Sequence, residues 1–109
     1  MSTRRGPKRE HQVRALFERA GWYVMRSAGS HGPVDILALS AGHDPCMVQV
    51  KSSVRSALAG FGPRDRAELR EVAQRSGATP LLCWWPPDRQ PPRWYYVAES
   101  GIEVTESPV

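Results

Sequence analysis

The chain has no apolar run of membrane-spanning length, and its first residues hold no apolar segment of the signal-peptide kind. These absences lead us to expect a cytoplasmic protein without membrane contact. Cysteine is scarce. Cys46 and Cys83 each sit inside an apolar run, without metal-like spacing, so buried free thiols are expected. Internal repeats and long linkers are missing too, and 109 residues suffice for a single domain, 1–109, with a modest core. Acidic residues are sparse at one end. Arg4, Arg5, Lys8, Arg9, Arg14, Arg19 and Arg26 face only Glu10 and Glu18, whereas from Val97 onward there are Glu99, Glu103 and Glu106 and no basic residue. A basic end on a chain of net charge +4 suits a polyanionic partner, most simply nucleic acid. A solvated basic tail fits the same charges.

Periodicity supplies the elements. Val13, Leu16, Phe17 and Ala20 form a helical stripe within Pro7 to Ala20, with Gly21 as the stop. Strands are expected over Trp22 to Ser27, Val34 to Ala41 and Met47 to Ser53, the last two joined by a turn at Gly42 to Pro45. A mobile loop over Arg55 to Gly62 precedes a second helix, Arg64 to Ser76. Strands Thr79 to Trp85 and Trp94 to Ala98 flank a Pro-rich loop. The order α-β-β-β-α-β-β describes a mixed five-stranded sheet flanked by helices. In the fourth strand Leu81, Cys83 and Trp85 alternate with Leu82 and Trp84, so both of its faces are apolar. Two short helices are expected to cover one face of the sheet but not both, so a second subunit is a reasonable cover for the rest.

One group of residues has the makings of a catalytic site. Gln49 and Lys51 are two apart on a strand and share a face, and Asp35 opens the strand that would pair with theirs. Glu10 continues the inward stripe of the first helix, three residues before Val13. Oxygen donors of this kind hold Mg²⁺, and a nearby lysine can orient a water and stabilise charge on a phosphate. Each residue also has an ordinary use. Asp35 could cap a turn after Pro33, Lys51 could be a surface lysine, and Gln49 could decorate a solvated face.

The longer pattern is more specific. Arg4-Arg5-Gly6, Arg9-Glu10, Arg26-Ser27-Ala28-Gly29-Ser30, Val34-Asp35-Ile36 and Gln49-Val50-Lys51 occur in order along the chain. This resembles the archaeal-type Holliday junction resolvases of the PD-(D/E)xK nuclease superfamily. The second half follows more loosely, in "RSGATPLLCW" and "RWYYVAE". The resemblance implies a restriction-endonuclease-like core, an Mg²⁺-dependent endonuclease in which Mn²⁺ can substitute, and a homodimer acting on branched DNA. It implies Asp35 as a metal ligand, Lys51 as the catalytic lysine, Glu10 as an acid near the metal and Ser30 as an active-site loop residue. Arg9 and Arg26 would support the site or the phosphate, while Arg4, Arg5 and Lys8 would grip the DNA backbone. Two positions depart from the family pattern. Gln49 stands where Glu is usual, leaving a neutral oxygen donor in place of a charged ligand. Ser52-Ser53-Val54 follows Lys51 where basic residues are common, so Arg55, Arg64 and Arg66 are candidates for that DNA contact.

The expected function is therefore resolution of four-way DNA junctions by paired symmetric phosphodiester cleavage. The alternatives are a nicking or repair endonuclease on another DNA structure and a junction-binding protein disabled at Gln49.

Overall fold

Val13 and Phe17 recur on one side of a helix, α1 (Arg5–Arg19), and both are fully buried. The computed structural model describes residues 5–27, 32–53, 55–87 and 90–109, with residues 5–7 by backbone alone. Arg4, Ser30 and the Arg5 side chain lie outside the described residues. At the end of α1 the N–H of Gly21 donates to Glu18 O and that of Trp22 to Phe17 O, with Gly21 at φ +91°. This is the paired-bond closure that glycine's freedom at positive φ permits. It also drops Trp22 edge-on against Phe17, ring centroids 5.2 Å apart. The second helix, α2 (Pro63–Arg75), starts on a proline and closes in the same way at Gly77 and Ala78.

Among the described residues six strands form one sheet in sequential order: β1 (Tyr23–Arg26), β2 (Ile36–Leu39), β3 (Cys46–Ser52), β4 (Thr79–Trp85), β5 (Arg93–Ala98) and β6 (Gly101–Thr105). Among these described strands the β3–β4 pair alone is parallel, with α2 as its crossover. The five-stranded expectation falls short by β6, which pairs antiparallel with β5 across the two-residue turn Glu99-Ser100. That turn lacks the Asn-Gly or Asp-Gly signal of a hairpin, and β6 is an edge strand whose Val104 is exposed.

The helices divide between the two faces of the sheet. Val13 and Phe17 of α1 pack on Val24, Ile36, Val48, Val50, Leu81 and Cys83, whereas Leu69 of α2 packs with Leu82, Trp84 and Val97. Both apolar faces of β4 are thus covered within the chain, and the argument for a second subunit from β4 falls. Both cysteines are free and buried, as expected.

The segment before α2 is not the free loop that its glycines suggest. Phe61 is fully buried, Ala57 is buried beside it, and the Phe61 carbonyl accepts from Arg66 Nη1 at 2.9 Å. Phe61→Ala should therefore cost about 3–4 kcal/mol, read as a lowered urea midpoint. A change under about 1 kcal/mol would return the segment to the status of a surface loop.

Candidate active site

The backbone of Asp35 breaks the regular ladder of β2 and β3. Ile36 stands opposite Val48, yet the Asp35 N–H also donates to Val48 O at 2.9 Å. Two residues facing one is the pattern of a β-bulge, a device that re-aims a side chain. The Asp35 carboxylate consequently turns onto the β3 main chain, where Oδ2 accepts from the Val50 N–H at 2.8 Å. The carboxylate does for Val50 what a strand carbonyl would otherwise do.

Charges from both sides of the sheet act on this group. On the α1 side, buried Glu10 accepts through Oε1 from Arg26 Nη1 at 2.9 Å. Arg26 is presented by β1, opposite Ile36. On the α2 side, alternation places Gln49 and Lys51 next to Leu82 and Trp84 of β4. Burial is the main reason that the Asp35 carboxyl is pushed up to about 6, although the Val50 N–H opposes it. Glu10 raises it further, while Lys51 and Arg26 draw it down.

The structure thus brings Glu10, Arg26, Asp35 and Lys51 into one electrostatic unit. Gln49 is half-buried on the Lys51 face, with no hydrogen bond to the others among the described residues. Lys8 is exposed on α1. Arg9 donates to Gln12 Oε1 and lies over the Trp85 ring, 4.5 Å from its centroid. Arg55 is exposed, while Arg64 pairs with Glu68 and Arg66 with the Phe61 carbonyl.

Among the described residues no three His, Cys, Asp or Glu side chains group as a metal site. The donors still suit a small hard cation. Asp35 and Glu10 are buried carboxylates whose mutual repulsion a divalent ion would offset, and a carboxamide oxygen can join them as a neutral donor.

Comparison with known proteins decides the family. Residues 1–108 match the model of the archaeal Holliday junction resolvases, Hjc. This chain belongs to the archaeal Holliday junction resolvase family. Membership makes it a nuclease of the resolvase class, with branched DNA as its partner, and such resolvases generally use divalent metal ions. Among solved structures the chain is similar to Hjc of Archaeoglobus fulgidus, described as a Holliday junction resolvase from an archaeal hyperthermophile. The likeness has a TM-score of 0.67 at 24% identity and covers 85% of this chain and 73% of that one. It bears out the restriction-endonuclease-like fold. No described helix is long and apolar enough to cross a membrane.

Sequence reasoning took Trp84 and Trp85 as apolar strand residues only and gave Arg93 no role. Trp85 carries Arg9, and Arg93 lies over Trp84 with its guanidinium carbon 5.5 Å from the ring centroid. The available signal was the pair of adjacent indoles, which alternation sends to opposite faces at the end of a strand.

Proposed function

We propose that this chain resolves four-way DNA junctions as a divalent-metal-dependent endodeoxyribonuclease, cutting symmetrically placed strands as a cytoplasmic homodimer of single nuclease domains. The observation that carries this reading is the buried Asp35 carboxylate, turned by a bulge towards the end of β3 and under the influence of both Glu10 and Lys51. A two-fold dimer suits the task, because a junction offers two equivalent strands.

In this reading Asp35, Glu10 and the Gln49 carboxamide oxygen hold Mg²⁺, or Mn²⁺ in its place. Held by these residues, a divalent ion would supply Lewis acidity for activating water and positive charge to offset that of the phosphate. The protein's own groups do the positioning. The Val50 N–H fixes Asp35, Arg26 fixes Glu10, and the Lys51 ammonium donates to the attacking water and the phosphate oxygens. Ser30 is assigned a part in cleavage by the family pattern alone. Arg4, Arg5, Lys8, Arg9, Arg26 and Arg55 meet phosphates and so bind without reading bases.

The test is cleavage of a synthetic four-way junction beside its matched duplex, with and without Mg²⁺ and Mn²⁺. Metal-dependent paired cuts confined to the junction are expected. Cuts in another DNA structure in preference to the junction would replace this reading with a nicking or repair enzyme. Tight junction binding with no cut under either metal would make the chain a disabled binder.

A neutral ligand at position 49 gives up one charge towards the metal. Gln49→Glu should therefore lower the Mg²⁺ concentration for half-maximal cleavage by about tenfold, the worth of about 1.4 kcal/mol. An unchanged metal titration would remove Gln49 from the ligand set.

A further inference from the structure

The two adjacent tryptophans at the end of β4 are not explained by core packing alone. Trp84 joins the core on the α2 side and Trp85 lies against the core on the α1 side. Each indole carries one arginine. Arg9, from α1, lies over Trp85, and Arg93, from β5 directly opposite Trp84, lies over that ring. Both stacks stand at the active-site end of the sheet, since Lys51 is the β3 neighbour of Trp84 and Ser52 that of Trp85. Ligands of open sheets gather at such carboxyl ends of parallel strands.

The charges here are uncompensated. Among the described residues Arg14, Arg26 and Arg64 face carboxylates, whereas Arg9 and Arg93 face none. Stacking uses the flat face of a guanidinium and leaves N–H groups at its edge for phosphate oxygens, in Arg9 those that do not donate to Gln12 Oε1. The Trp84 platform is pinned, because its Nε1 donates to Ser53 O at 3.3 Å and Ser53 Oγ at 3.0 Å. The Trp85 Nε1 is buried without a hydrogen-bond partner among the described residues. A leucine or phenylalanine there would fill space without stranding a donor, so the indole is explained by its ring face, the strongest of the cation–π surfaces. Trp85 also borders a groove along α1 that Lys8, His11 and Arg19 line.

We propose that Trp84 and Trp85 are back-to-back platforms that hold Arg93 and Arg9 as a clamp on the DNA phosphates flanking the one that is cut. This rests on the reading of the site as a junction nuclease. Trp84 and Trp85 are positioning residues in this arrangement, and the arginines make the contacts. Holding both guanidiniums in place before DNA arrives reduces the freedom lost on binding.

The test is binding of a four-way junction by the full chain, without divalent metal, across a range of salt concentrations. Arg9→Ala and Arg93→Ala should each weaken binding several-fold and flatten the plot of log affinity against log salt by about one per protomer, hence about two for the homodimer, with the double variant flattening it by about four. Trp85→Leu should reproduce the loss of Arg9→Ala and add little to it in the double variant, whereas Trp85→Phe should retain most of the affinity. Unchanged slopes in both arginine variants would overturn the clamp, and so would a Trp85→Leu loss that persists in full when Arg9 is already alanine. Should Trp85→Leu fail to fold, the two arginine slopes decide. A parent protein that cuts the junction while the slopes stay fixed refutes the clamp alone. One that neither binds nor cuts the junction refutes the nuclease reading and the clamp with it.

Discussion

Asp35→Asn should abolish cleavage, by on the order of a thousandfold or more, while leaving affinity for the four-way junction nearly intact. The same substitution should make the metal-free protein more stable. Asparagine keeps an oxygen that can accept from the Val50 N–H, so the bulge survives, but it carries no charge into a buried site. The sign follows from the direction of the shift. The Asp35 carboxyl is raised from 3.8 to about 6 by burial and by Glu10, so the folded state holds this proton more tightly than the unfolded chain. Its ionisation penalty is absent below the unfolded value, grows as pH rises between 3.8 and about 6, and is fully present above that. At pH 7.5 the penalty is about 1–3 kcal/mol, so removing it should raise Tm by about 5–10 °C. At pH 3.5 the two proteins should melt together.

Melting with and without divalent metal supplies the control. Excess Mg²⁺ or Mn²⁺ should stabilise the parent at pH 7.5 by mass action and leave the asparagine variant largely unmoved. Equal stabilisation of both would remove Asp35 from the ligand set. Equal melting of both proteins at pH 7.5 without metal would refute the buried-charge account. The expected opposition of activity and stability is ordinary for an active site, where a group is kept in surroundings that suit the reaction better than the fold.

The helices and inner strands were legible because their residues obey local rules. Thr79–Trp85 was delimited to the residue by its apolar run between Gly77 and Pro86. Phe17, Gly21 and Trp22 together marked the end of α1. What escaped depended on distant parts of the chain. β6 is half polar and exists through its pairing with β5, and Phe61 looks like a loop aromatic until Leu69 and Trp84 enclose it. The placement of α1 and α2 on opposite faces depends on how the sheet is assembled, which periodicity does not encode. The candidate site shows the same division. Spacing put Gln49 beside Lys51 and turned Glu10 inward, but the bulge that re-aims Asp35 exists only once β2 and β3 are paired. The stack of Arg9 on Trp85 joins the first helix to the fourth strand, and no local pattern could announce it.

Lys51→Ala should lower the cleavage rate by about a hundred- to a thousandfold, the cost of removing one preorganised charge from the transition state, with junction affinity and Tm little changed. Lys51→Arg should not restore the rate, since a planar guanidinium cannot place its donors where a compact ammonium does. Loss of cleavage alone does not separate a lysine that acts on the phosphate from one whose removal merely disturbs its neighbour. The carboxyl of Asp35 does, because the Lys51 charge draws its pKa down. In metal-free protein, NMR titration of the Asp35 carboxyl should move upward in Lys51→Ala and stay near its parent position in Lys51→Arg, which keeps the charge. An arginine variant with an undisturbed Asp35 titration and no cleavage would assign Lys51 a direct part in the reaction. Restored cleavage in that variant would reduce Lys51 to a source of positive charge.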